Sequence, residues 1–172
     1  GEARMSCLDA VASDFGGLYR YAAANAALAA PKPGEARVVF FGDSITDNWS
    51  KPDYGGFFPG KPWVNRGIGG QTTAQMLLRF RADVIELRPK AVVILAGTND
   101  IAGNAGAVSV DQVRDNLASM AELARAHGIK VVLASLPPVS DDKKDATGAA
   151  LTRTRQRPTA TIRALNRWLV EY

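Results

Sequence analysis

The sequence predicts one α/β domain, a three-layer α/β/α sandwich around a central parallel sheet. Three observations carry this. Four short apolar runs, at 37–41, 63–65, 91–96 and 129–135, read as strands. Most of the segments between them have helical periodicity, and strands joined by helical crossovers pair in parallel. The run Ala91-Val92-Val93-Ile94-Leu95-Ala96 is apolar throughout, as expected of a strand buried on both faces.

In chain order, segment 6–30 reads as helical, with Leu8, Val11, Phe15, Leu18, Ala22 and Leu28 near a 3.6-residue period. Gly16-Gly17 is a candidate break, and Pro31-Lys32-Pro33-Gly34 ends the segment. The first strand is Arg37–Phe41, followed by a short helix at 45–49. Residues 50–62 hold three prolines and three glycines and read as a loop. Trp63-Val64-Asn65 is a short second strand. Helix 71–87 presents Met76, Phe80, Val84 and Leu87 on one face, with Leu77 beside them, and stops at Pro89. Helix 110–127 opens on a capping box, Ser109 with Gln112, and has Val113, Leu117, Met120 and Leu123 as its inner stripe. Gly128 suits its C′ position. Strand four is Ile129–Ser135, residues 137–157 are a long polar loop, and a last helix from Pro158 turns Ile162, Leu165, Trp168, Leu169 and Tyr172 inward.

The 172 residues are 47% hydrophobic and 22% charged, ordinary for one soluble domain with a real core. The net charge of +4 is spread over both signs. Arg153-Thr154-Arg155-Gln156-Arg157 is the one single-sign cluster. Without interleaved aromatics or a nucleic-acid motif, it reads as a solvated loop, and no nucleic-acid partner is expected. The lone cysteine, Cys7, excludes an internal disulfide. No apolar run reaches the ~18 residues of a membrane span, so no stable membrane insertion is expected. The opening Gly1-Glu2 leaves open an upstream signal, and with it a secreted or periplasmic place.

The chemistry concentrates where strands end. In an open parallel sheet, ligands bind at the carboxyl ends of the strands. Strand one runs into Gly42-Asp43-Ser44, strand two into Gly67–Thr73, and strand three into Gly97-Thr98-Asn99-Asp100. Three distant segments thus converge on one rim. Ester cleavage by a serine develops negative charge on the substrate carbonyl oxygen, which fixed donors must stabilise. Candidate donors are the Ser44 N–H, the Gly70 N–H and the side-chain amide of Asn99. Asp43 and Asp100 are expected to brace their loops by accepting backbone N–H bonds.

These blocks resemble the SGNH hydrolases, also called the GDSL esterase/lipase family. Gly-Asp-Ser-Ile-Thr at 42–46, Asn-Arg-Gly-Ile-Gly-Gly-Gln-Thr-Thr at 65–73 and Gly-Thr-Asn-Asp at 97–100 correspond to its first three blocks. The second block is most similar to the branch with platelet-activating-factor acetylhydrolase-like and bacterial acyl esterases. The resemblance implies a flavodoxin-like SGNH fold with Ser44, Gly70 and Asn99 as catalytic residues. It also implies hydrolysis of a small ester (an acylated sugar, lysophospholipid or short-chain ester) through an acyl-serine intermediate, without metal or organic cofactor.

The family's fourth block, Asp-x-x-His, has no counterpart here. The single histidine, His127, closes a helix ahead of strand four. A seven-residue strand is ~23 Å long, which sets it far from the rim. The expectation is one SGNH-like domain over 1–172, missing its last βα unit and leaving an exposed sheet edge. The Asp/His pair would then come from a further C-terminal segment or a second chain. The alternative is a non-catalytic ester- or glycan-binding relative. A flavodoxin-like phosphate-binding module is disfavoured because Asp43 and Asp47 flank Ser44 and would repel phosphate.

Trp49, Tyr54, Phe57, Phe58 and Trp63 are candidates for lining a pocket or packing their loop, and Arg66 for an anion contact or a surface salt bridge.

Overall fold

A computed structural model describes residues 12–54, 56–142, 144 and 147–172. Its elements are α1 (Ala22–Ala27), β1 (Val38–Gly42), α2 (Ser44–Asn48), β2 (Trp63–Gly67), α3 (Thr73–Asp83), β3 (Ala91–Leu95), α4 (Thr98–Ile101), α5 (Val110–Ala126), β4 (Lys130–Leu133), α6 (Arg153–Gln156) and α7 (Thr159–Glu171). The strands form a parallel sheet in the order β2-β1-β3-β4. Val38 stands level with Trp63 and Ala91, and Gly42 with Gly67 and Leu95. The carboxyl ends of β2, β1 and β3 therefore finish on one line.

Alternation along β1 divides the layers. Val39 and Phe41 are buried in the main core with Val92 and Ile94 of β3, Met76 and Phe80 of α3, Leu117 of α5 and Leu165 of α7. Each such side chain contributes roughly 1.5–3 kcal/mol by leaving water. Phe40 points to the opposite face. There the segment after α2 covers it: Phe57 and Phe58 both lie 5.2 Å from its ring centroid, Trp63 5.5 Å and Trp49 5.8 Å. Helices thus lie on both sides of the sheet, with α3, α5 and α7 on one and α2 with its aromatic loop on the other. β4 is an edge strand of the described sheet, and its Val132 is half exposed.

Both long inner helices start on capping boxes. Gln112 accepts from the Ser109 N–H at 2.8 Å and Ser109 from the Gln112 N–H at 3.1 Å. At α3, Gln75 Oε1 accepts from the Thr72 N–H at 3.0 Å. Such caps contribute about 1 kcal/mol each.

The N-terminal segment departs from the expected helix. Leu8 and Val11 lie outside the described residues. Phe15 and Leu18 are exposed rather than inward. Gly17 is left-handed, with φ 67°, and the Asp14 carboxylate accepts the N–H groups of Leu18 and Tyr19 at 2.8 and 2.9 Å. A side chain that takes backbone donors in this way competes with helix formation. Three further boundaries shift. Helix three ends at Asp83 and continues as a 3₁₀ turn, Ile85–Leu87. Strand four is only Lys130–Leu133, and the long loop contains α6.

Candidate functional site

Ser44 is the first residue of α2, directly after β1, and is half buried. Asp43 caps that helix: its Oδ1 accepts from the Ile45 N–H at 2.9 Å. The Asp43 side chain is wholly buried, and Oδ2 has no hydrogen-bond partner among the described residues. Burial pushes its carboxyl up to about 6; the Ile45 N–H and the Arg157 charge pull the other way.

The second loop folds over this turn. Ile68 N–H donates to Gly42 O at 3.0 Å, Asn65 Nδ2 to Thr46 O at 2.6 Å, and Gly69 N–H to Asp47 Oδ2 at 3.2 Å. Gly67 must lack a side chain, because a Cβ there would stand 2.2 Å from the Asp47 nitrogen. A Cβ on Gly69 would lie 3.8 Å from the Ser44 Cβ, so the bare backbone of the loop passes beside the serine. Gly70 follows, exposed and left-handed at φ 80°, a conformation glycine adopts without cost.

The third loop is stitched to the second. Asn99 is buried and its Nδ2 donates to Gln71 O at 2.9 Å. The second hydrogen of that amide is not used in this bond. Asp100 is buried and accepts from the Thr73 N–H with both oxygens at 3.0 Å, and from Thr73 Oγ1 at 2.6 Å. Burial raises the Asp100 carboxyl above its ordinary range, opposed by these Thr73 bonds. Asn104 Nδ2 reaches Gly70 O at 3.2 Å. The structure thus brings Ser44 beside Gly69, and links the Gly70 and Asn99 loops.

His127 is elsewhere. It is exposed, with Nδ1 2.8 Å from Leu123 O, in a surface cavity with Pro31, Glu35 and Lys90 at the amino ends of the strands. Strand four is shorter than expected, yet the register still leaves four residue rises between that end and the Gly42 end of β1, about 13 Å.

Three supporting residues escape a reading by sequence. Arg79 is fully buried in α3. Its guanidinium donates to Gln71 Oε1 (2.6 Å), Asp83 Oδ2 (2.8 Å), Arg66 O (2.9 Å) and Gly42 O (3.1 Å), tying the ends of β1 and β2 to the second loop. Arg79 and Asp83 sit within the same i, i+3, i+4 stripe as Met76 and Phe80, which was the available signal. Arg157, from the polar loop, donates Nε to Thr98 O and Oγ1 at 3.1 Å, and Nη2 lies 3.5 Å from Asn99 Oδ1. The sequence places it in the Arg153–Arg157 cluster expected to be solvated, but Arg157 is half buried against the third loop. Tyr21 donates its hydroxyl to Gly67 O, with the Arg66 guanidinium 4.7 Å from its ring centre. Arg66 is buried and also bonds Asn25 Oδ1 at 2.8 Å, so it anchors the N-terminal segment rather than standing in a surface ion pair. The aromatic cluster packs its own loop onto Phe40, while Tyr54 stays exposed.

Among the described residues, no group of three or more His, Cys, Asp or Glu side chains is placed to hold a metal ion. Nor is any helix long and apolar enough to cross a membrane.

Fold and loop arrangement are those of the GDSL/SGNH class of α/β proteins. The chain belongs to the GDSL-like lipase/acylhydrolase family, which matches residues 40–172. It is similar to a GDSL-like lipase of known crystal structure from Bacteroides thetaiotaomicron, with 45% identity and a TM-score of 0.79, over 92% of this chain and 73% of that one. An uncharacterized lipoprotein of Bacillus subtilis is 38% identical over 125 residues, 62% of this chain and 50% of its own length. The esterase TesA of Pseudomonas aeruginosa is 47% identical over 78 residues, 44% of this chain and 37% of its own length. The chain thus spans half or less of these two relatives.

Proposed function

We propose that the protein is a serine ester hydrolase in which Ser44 attacks the carbonyl carbon of a small ester. The observation that carries this is the position of Ser44 at the start of α2, with the Gly69–Gly70 loop against it and the Asn99 loop bonded to that loop. Membership of an acylhydrolase family and likeness to an esterase support the same reading. The Ser44 and Gly70 N–H groups and the free hydrogen of the Asn99 amide stabilise the oxyanion. Each such donor typically lowers the barrier by ~3 kcal/mol. The serine oxygen forms an acyl bond as the alcohol departs, and water then releases the acid. The substrate is an acylated sugar, a lysophospholipid or a short-chain ester.

A serine needs a base within hydrogen-bond reach. His127, at the opposite end of the strands, does not fill that role. An Asp/His pair from outside these 172 residues does, in a further segment or a second chain. The remoteness of His127 also favours one other reading, a non-catalytic protein that binds esters or glycans. Steady-state hydrolysis of 4-nitrophenyl acetate by the full-length protein separates the two. Turnover lost in Ser44→Ala is expected; turnover that survives the substitution contradicts the assignment, and none in either protein selects the binding reading.

A further inference from the structure

Of the three arginines at 153–157, Arg153 and Arg155 are exposed and Arg157 is half buried. The fold accounts for the difference. Helix α7 begins just after Pro158 and buries Ile162 and Leu165 in the core. Leu165 packs on the third loop at Gly97, where a Cβ would stand 3.0 Å from its Cδ2. On the other side, the Arg157 N–H donates to Arg153 O at 2.9 Å and closes α6. Docking of α7 thus delivers Arg157 to the third loop, although the arginine itself belongs to a polar segment.

There the guanidinium meets two successive residues. Its Nε donates to Thr98 O and Thr98 Oγ1, both at 3.1 Å, and Nη2 lies 3.5 Å from Asn99 Oδ1. The opposite end of the same amide donates from Nδ2 to Gln71 O at 2.9 Å. Asn99 is therefore held at both ends, its oxygen toward a cation and its nitrogen toward a carbonyl. A half-turn of the amide would set Oδ1 against the Gln71 carbonyl and the amide hydrogens against the guanidinium, and both contacts repel. With the nitrogen on the Gln71 side, the remaining amide hydrogen stays on the side of the loop that carries Gly70. The charge is also felt at the turn that carries Ser44: burial raises the Asp43 carboxyl, and Arg157 pulls it back.

We propose that Arg157 is a positioning residue for the oxyanion site: by holding Thr98 and the oxygen end of Asn99, it keeps the unused amide hydrogen turned toward the ester carbonyl at Ser44. The inference rests on the ester-hydrolase reading and deepens it, since Arg157 acts through Asn99 rather than on the substrate. In the full-length protein, Arg157→Met, which keeps the aliphatic stem, should lower kcat for 4-nitrophenyl acetate roughly tenfold with KM within about twofold. In an Asn99→Ala background the same substitution should change kcat by less than about twofold, because no amide is left to orient. A full further loss in that background would overturn the proposal, since Arg157 would then act apart from Asn99. A change confined to KM would overturn it too, as the mark of a residue that binds substrate. Should Arg157→Met not fold, Arg157→Lys is read in the same cycle, since one ammonium cannot span Thr98 and Asn99 as the guanidinium does. If the parent hydrolyses no ester, the ester-hydrolase reading fails alone. The Asn99 side-chain amide, observed by heteronuclear NMR and assigned by its loss in Asn99→Ala, then reads the positioning directly. Arg157→Met should move both of its proton signals toward those of a solvated asparagine; signals that stay in place overturn the proposal.

Discussion

Thr73 and Asp100, 27 residues apart, are joined through both donors of the threonine: its backbone N–H meets both carboxylate oxygens at 3.0 Å, and its hydroxyl meets one at 2.6 Å. Thr73 opens α3 and Asp100 lies in α4, so this contact fixes the second loop against the third. Asp100→Ala leaves two buried donors without an acceptor, at a cost of about 3 kcal/mol. Urea unfolding should show a lower midpoint with little change in slope. A loss under 1 kcal/mol would mean that the loops are held apart from this contact.

Arg79 makes a second, deeper prediction. Arg79→Met removes the charge partner of Asp83 and leaves that carboxylate buried, which typically costs 3–5 kcal/mol. Adding Asp83→Asn removes the uncompensated charge while leaving an acceptor for Asn25, which now donates to Asp83 Oδ1 at 2.6 Å. The double variant should recover more than ~1 kcal/mol over Arg79→Met. Strictly additive losses would contradict the ion-pair account. Arg79→Lys should restore little, since a single ammonium cannot reach the four acceptors the planar guanidinium holds.

Asp43 supplies the pH dependence. Its folded carboxyl titrates near 6, above the ~3.9 of an unfolded chain. Its contribution to stability is therefore fully present below the unfolded value and is lost as pH rises through about 6. Asp43→Asn removes the titration and keeps an oxygen for the Ile45 N–H. Relative to the parent, the variant should gain stability between pH 4 and 7, by at most about 3 kcal/mol. A stability difference that stays flat with pH would show that Asp43 does not titrate in this range.

The elements legible in the sequence were those whose burial follows a simple period. β3 needed only its apolar run, and α3 and α5 their stripes through Phe80 and Leu117. The rim was legible for the same reason: parallel crossovers place Ser44, Gly70 and Asn99 after consecutive strands. In the N-terminal segment the break expected at Gly16-Gly17 is present, but Phe15 and Leu18, which match a helical period, face solvent because the Asp14 carboxylate takes the backbone donors after the break. Arg79 was hidden because a charge on an apolar stripe is normally solvated, and only the tertiary fold brings Gly42 O and Arg66 O to it. Arg157 depends on the path of a long loop, which no local pattern encodes.

Asn99 distinguishes stabilisation of the transition state from ground-state binding. Asn99→Ala should lower kcat by ~10²–10³ with a smaller change in KM. A change confined to KM would make it a residue that binds substrate without aiding the reaction. Because Nδ2 also bonds Gln71 O, unfolding of the variant should be followed in parallel.

The central claim is that Ser44 forms the covalent intermediate. Treating the full-length protein with an alkyl fluorophosphonate, then mapping its peptides by mass spectrometry, tests this most directly. The account predicts one adduct, on the peptide bearing Ser44, and none in Ser44→Ala. An adduct on another residue, or an unmodified protein that still hydrolyses esters, would contradict it.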